Sequence, residues 1–278
     1  MANPDFKKIE ESNFSQYFYE DVVATYQSIN GDNKVFNLIK EGISSGMYVP
    51  QLHGREHLHV KSWLEALKQG DNETKFAFDN EVYGHPTKYF GSTKMSFLSA
   101  LHSRNNEEQQ FMNQSLVESS VLFEKYYGFK SESFIAPRFI WNDSIESELN
   151  NIGVKYIQGK IVQQVPYGED LKTKIHLFGS KNKYKQIYIN RNVFFEPTQN
   201  QKFPWLKDAL NRIDVAFKWG KPAVISMHRL NFMGGLNENN RTNNLILFKE
   251  LITKVQQKYP DVIFMSTNEL GKIINNEN

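Results

Sequence analysis

Two histidines four residues apart, in His53-Gly-Arg-Glu-His57, give the sharpest chemical signal in the chain. They fall where an apolar segment turns into a helix, so both imidazoles can face one side. Neutral imidazole nitrogen suits zinc, cobalt, nickel or iron, and a third ligand, usually a carboxylate, is needed. The spacing alone leaves a second reading open: two surface histidines beside a helix start, with His59 continuing the run. The segment is not the H-E-x-x-H of metalloprotease helices, because Glu56 lies next to the second histidine.

Val224-Ile-Ser-Met-His228-Arg229 is an apolar strand ending in histidine. An imidazole there is placed to act as a general acid near neutral pH, or is a satisfied strand-end histidine. In Phe134-Ile-Ala-Pro137-Arg138-Phe139-Ile-Trp141, proline fixes a turn, Arg138 is suited to clamp a carboxylate, and Trp141 offers a flat face to a sugar ring. The plainer alternative is a strand-to-helix loop with a core tryptophan. In Asn190-Arg191-Asn192-Val-Phe-Phe-Glu196-Pro197, Arg191 and Glu196 bracket an aromatic strand, as substrate contacts or as a rim ion pair. Asp79 is a candidate carboxylate ligand or an ordinary turn aspartate.

The elements that must carry these residues alternate in type from end to end, as in one α/β domain spanning 1–278. Asn3-Pro4-Asp5 is placed as a cap before a short helix through Glu11. Helices are expected over 33–45, stopped by Gly46, over 58–69, closed by Gly70, and over 105–127. Further helices are expected from Asp143 or Ser144 to Asn151, Pro204 to Trp219, Asn243 to Lys258 and Asn268 to Ile274. Strands are expected over 47–52, 133–136, 154–157, 223–227 and 262–265, with a hairpin over 174–195. His53, Pro137 and His228 then all sit at C-terminal strand ends, where α/β folds gather their chemistry.

Composition narrows the classes. The chain has 278 residues, 40% hydrophobic and 23% charged, with 21 Phe and 13 Tyr, enough apolar mass for a sizeable core. The absence of cysteine excludes thiolate-ligated zinc, thiol nucleophiles and disulfides. A net charge of +2, with scattered basic residues, gives no footprint for nucleic acid. No apolar run is long enough to span a bilayer and the N-terminus has no apolar signal core, so a cytoplasmic protein is expected. There is no G-x-S-x-G elbow, phosphate loop or dinucleotide fingerprint. Gly234-Gly235 reads as a flexible rim, and no extra histidine or lysine is placed for an amidohydrolase site.

Taken in order, these segments resemble the polysaccharide deacetylase (NodB-like) superfamily over roughly residues 3–270, in particular a bacterial subgroup of polysaccharide (de)acetylases. His53 and His57 match its H-x-x-x-H motif, Ala136-Pro137-Arg138-Phe139 loosely matches its Arg/Pro/aromatic motif with the order altered, and Ser226-Met227-His228 matches its Leu-x-His motif with Ser for Leu. The stretches HGREHLHVKSWLEAL, SMHRLNFMGG and RNVFFEP carry the subgroup likeness. The resemblance implies a distorted (β/α) barrel and removal of acetyl groups from N- or O-acetylated oligo- or polysaccharide. It implies a divalent metal, zinc first, on His53, His57 and an aspartate, with His228 as acid, facing the metal-binding pair, and Arg138 orienting the base. It also implies an Asp-Asp motif at the end of the first strand. No such strand precedes Asn3-Pro4, so the barrel is expected to lack its first strand and activity to be impaired. Asp5, Glu56 and Asp79 are the candidates to replace that carboxylate. The competing expectation is a carbohydrate-binding protein without turnover, using Trp141.

Overall fold

The computed structural model describes residues 1–276. They form two compact α/β units, residues 1–189 with the closing helix from Thr267, and residues 190–266. No helix among the described residues is long and apolar enough to cross a membrane.

The first unit opens with a two-stranded antiparallel ribbon, β1 (Ala2–Pro4) against β2 (Tyr19–Asp21), with helix α1 (Phe6–Glu11) between them. Of the expected cap segment Asn3-Pro4-Asp5, it is Asp5 that caps α1, accepting from the Lys8 amide. Asp21 caps α2 (Val22–Asn30), and α3 (Lys34–Ser44) follows. Helices α4 (Val60–Lys68), α5 (Asn72–Asp79) and the long α6 (Asn106–Tyr127) lead to strand β3 (Ser133–Ile135). Then come α7 (Ile145–Asn151), β4 (Tyr156–Gly159), the hairpin β5 (Val162–Tyr167) and β6 (Asp170–Ile175), and β7 (Ile187–Asn190). The central sheet has the order β3-β4-β7, with β3 and β4 parallel in the register Ile135↔Gln158.

The first unit has two cores, and the first of them includes residues of this sheet. One gathers Leu116, Phe123, Phe134, Trp141, Ile145 and Ile157. The other packs Ile9, Leu58, Trp63, Phe78 and Phe97. Removing such side chains from water contributes about 1.5–3 kcal/mol each.

The second unit holds a parallel strand pair, β8 (Val193–Phe194) and β9 (Ile225–Ser226), with helices α8 (Trp205–Lys218) and α9 (Glu238–Lys258). Its core is Val193, Phe195, Ala209, Ile213, Leu251 and Val255. The chain then returns to the first unit through α10 (Thr267–Asn275). A β-carbon on Gly271 would lie 2.3 Å from the Tyr156 ring, so only glycine lets α10 pack this closely on β4.

Three expected elements differ. Of the segment 47–52 only Leu52 pairs, bridging Phe134 in parallel, while Met47, Tyr48 and Val49 face solvent. Pro50 has no amide to give a ladder, which removes strand pairing just before Leu52. The regular hairpin falls on β5 and β6, turning at Gly168 (φ 61°), rather than over 174–195. Within 174–195 the chain does reverse around Lys181-Asn182-Lys183, through the bridge Lys181↔Ile187 and bonds from the Asn182 amide to the Gln186 carbonyl and from the Tyr188 amide to the Ser180 carbonyl, without forming two regular strands. Residues 262–265 are irregular, with Ile263 and Phe264 exposed.

Candidate functional site

In the first unit the Leu52 bridge delivers His53 to the C-terminal end of β3. Its Nδ1 lies 2.7 Å from the Ile135 carbonyl oxygen. A carbonyl only accepts, so Nδ1 carries the hydrogen and Nε2 keeps its lone pair. Backbone carbonyls orient metal-binding histidines in this way. Gly54 turns the chain at φ 94°, and His57 comes back beside His53 with ring centres 5.2 Å apart and planes at 63°.

The residues between face elsewhere. Arg55 is buried and bonded to Glu56 and to Glu118, with its guanidinium 4.5 Å over the Tyr19 ring. Glu56 also accepts from Ser115, and burial raises its carboxyl pKa despite the Arg55 cation. His59 caps α4, accepting from the Ser62 amide and donating to the His102 carbonyl, and burial lowers its pKa.

Two imidazoles on one metal, each at an N–metal distance of about 2.1 Å, keep their ring centres within about 6.5 Å of each other. The 5.2 Å separation meets that limit, and the anchored Nδ1 of His53 supplies the outer support a ligand needs. The spacing of the two rings is thus within what a shared divalent cation requires. Among the described residues no group of three His, Asp or Glu side chains gathers. The proposed replacements are engaged otherwise: Asp5 caps α1, Glu56 pairs with Arg55, and Asp79 pairs with Lys75.

Arg138 follows β3 in an unusual backbone. It and Phe139 both lie in the left-handed region, at φ 55° and 59°, which costs about 1–3 kcal/mol per residue. Pro137 is buried beneath the turn, and the exposed Arg138 donates to Ser99 Oγ at 3.3 Å. Nothing in the residue types announces this strain.

Trp141 corrects the sequence reading. It is 1% exposed, lies parallel to His176 at 6.1 Å, and points Nε1 at Glu146 Oε1. An aromatic face enclosed in this way gives a sugar ring nothing to stack on. His176 in turn lies 3.7 Å from the Tyr188 ring, and burial lowers its pKa to about 4, helped by Lys174.

In the second unit β8 and β9 pair with Phe194 opposite Ser226. Two residues beyond each stand Glu196 and His228, so strand alternation carries both to the same face. His228 Nδ1 lies 2.7 Å from Glu196 Oε1. The carboxylate is 8% exposed and the imidazole 67% exposed, so a buried acceptor holds an outward-facing ring. Nδ1 donates to the carboxylate, and Nε2 is the nitrogen turned to the surroundings. Glu196 is thus the partner of His228 rather than a rim residue. Arg191 donates to Ser226 Oγ at 3.2 Å, and burial lowers its pKa to about 10, opposed by the charge of Glu196, so it stays cationic at neutral pH.

Sequence reasoning missed the residues behind this pair. Asn231 is 1% exposed and donates to Glu196 Oε2 at 2.8 Å. Asn240 and Asn244 on α9 bond the carbonyls of Leu230, Met233 and Asn231. A separate groove of about 740 Å³ along α8 and α9, lined by Phe203, Trp205, Leu206 and Leu247, includes none of the residues named for chemistry.

No family model matches this chain, and no curated protein matches it. Among solved structures, one described as "putative polysaccharide deacetylase from Mycobacterium smegmatis" is similar at 12% identity with a TM-score of 0.41. The likeness covers 65% of this chain and spans about three fifths (61%) of that one.

Proposed function

We propose that this chain hydrolyses acetyl groups from N- or O-acetylated oligo- or polysaccharide, on a distorted (β/α) barrel of the polysaccharide deacetylase type. The observation that carries the reading is the buried Glu196 carboxylate holding His228 at 2.7 Å with its Nε2 turned outward. A carboxylate in that position fixes Nδ1 as a donor and leaves Nε2 as the nitrogen through which a proton passes to a departing amine or alkoxide. Glu196 is therefore a positioning residue, and His228 is the acid.

His53 and His57 are the pair that would hold a divalent cation, zinc first, with cobalt, nickel and iron suited to the same nitrogens. Such a cation, when bound, polarises an acetyl carbonyl and lowers the pKa of a bound water. The cationic Arg138 is suited to orienting a carboxylate or the acetyl oxygen. The alternative of a binding protein without turnover loses its aromatic platform, because Trp141 lies in the core.

The test is acetate release from acetylated chito-oligosaccharides with added zinc or cobalt. Wild type should release acetate, His228→Ala should not, and His53→Ala should lose both turnover and bound metal. An inert wild type whose metal content is unchanged by His53→Ala would remove the reading.

A further inference from the structure

We infer that Asn231 is a positioning residue that sets the tautomer of His228 by locking the Glu196 carboxylate. The inference deepens the hydrolase reading of His228, but its geometry stands independently.

Asn231 is buried beside the His228–Glu196 pair and spends its side chain entirely on it and its surroundings. Nδ2 donates to Glu196 Oε2 at 2.8 Å and to the His228 carbonyl at 2.9 Å. Oδ1 accepts from the Thr198 amide at 3.1 Å. The remaining donor to Oε2 is the His228 amide at 3.3 Å, a longer and weaker bond. Without the Asn231 amide one carboxylate oxygen is therefore poorly held, and the group is free to rotate away from Nδ1. The asparagine itself is fixed from α9, where Asn244 Nδ2 donates to the Asn231 carbonyl at 2.8 Å and Asn240 holds the flanking carbonyls. Thr198 Oγ1 donates to Asn240 Oδ1 at 2.7 Å, closing the network. The chain of contacts runs from helix to loop to carboxylate to imidazole, which is how an outer group fixes a reacting one.

The variant that separates structure from positioning is Asn231→Asp. Aspartate keeps the acceptor that serves the Thr198 amide and loses the donor that serves Glu196. Deprotonated, it sets a second carboxylate against Glu196.

Nitrogen-15 NMR of the full chain reads the His228 tautomer without any substrate. Wild type is expected to show the hydrogen on Nδ1. Asn231→Asp is expected to mix tautomers at pH 8, above the range in which imidazole protonates. A merely structural role leaves the tautomer of the folded variant unchanged. Where acetate release is measurable, kcat should fall about tenfold or more with KM little changed, and Asn231→Asp should add nothing in a Glu196→Ala background.

An unaltered Nδ1–H tautomer in Asn231→Asp at pH 8, in a folded protein, overturns the inference whatever the activity. If the variant does not fold, Asn244→Ala, which loosens Asn231 from α9, serves instead: mixed tautomers support the inference and an unaltered tautomer overturns it. If wild type releases no acetate but the tautomer responds, the hydrolase reading fails and the positioning role stands.

Discussion

Replacing Glu196 by glutamine changes one oxygen to an amino group and nothing in size, yet it should remove most of the activity assigned to His228. Two donors, the Asn231 amide and the His228 backbone amide, point at Oε2. A single donor, His228 Nδ1, points at Oε1. A glutamine satisfies the two by placing its oxygen there, which leaves its NH2 group facing Nδ1. The imidazole must then shift its hydrogen to Nε2, and the imidazolium meets a donor instead of a carboxylate. Losing a charge-assisted bond costs about 1.5–3 kcal/mol, and a mismatched donor adds about 1–3 kcal/mol. The imidazole is 67% exposed, so water screens the pair and the lower part of that range applies. About 2–3 kcal/mol corresponds to a 30- to 150-fold loss of kcat, following the usual relation of barrier to rate. The assay is acetate release under saturating substrate, with thermal unfolding as a control for the fold. A Glu196→Gln protein that is folded and keeps more than half of wild-type kcat would refute the reasoning.

The remaining predictions concern the structure around the candidate residues. His176 has its pKa lowered to about 4 by burial, against about 6.5 unfolded, so its contribution to stability is present above pH 6.5 and is lost as the pH falls towards 4. That loss is at most about 3 kcal/mol, and urea unfolding of His176→Phe should show a correspondingly flatter pH dependence across this window; an unchanged slope would contradict the burial argument. Trp141→Ala should destabilise the protein by about 3–5 kcal/mol, since it empties a core position and takes a donor from Glu146; a change under 1 kcal/mol in denaturant unfolding would return Trp141 to the surface. Arg138→Gly relaxes a left-handed residue, so its stability should equal or exceed wild type while acetate release falls. Destabilisation of more than about 1 kcal/mol would show that the turn carries no strain.

Local features of this fold were legible where a short-range rule governs them. Asp5, Gly46 and Gly70 mark helix ends because capping and left-handed turns depend on neighbours in sequence. The long helix over 106–127 and strands β3, β4 and β9 follow from period and apolar runs. The start of α9 was less visible: it begins at Glu238, five residues before the apolar period, under a run of asparagines that favour caps and turns over helix interiors. Those same asparagines turn out to hold the His228 loop.

The site was legible in its residue types and less so in its partnerships. His53 and His57 stand together because four residues and a glycine turn bring them back, a local matter. That Glu196 belongs to His228 depends on the pairing of Phe194 with Ser226 across 32 residues, a register no short pattern specifies. Trp141 was misplaced because a tryptophan at a strand-to-helix loop has the same sequence whether its ring faces a ligand or a core. Its enclosure is decided by His176 and Glu146, which lie on other elements.

The central claim is that water is added across an acetyl bond, and isotope transfer tests it most directly. The full chain with zinc would be incubated with acetylated chito-oligosaccharide in water enriched in oxygen-18. Hydrolysis as assigned to His228 predicts one solvent oxygen in each acetate released, one freed amine or hydroxyl on the glycan per acetate, and no release by His228→Ala. Recovery of the glycan fully acetylated, or acetate without solvent oxygen, would contradict the account.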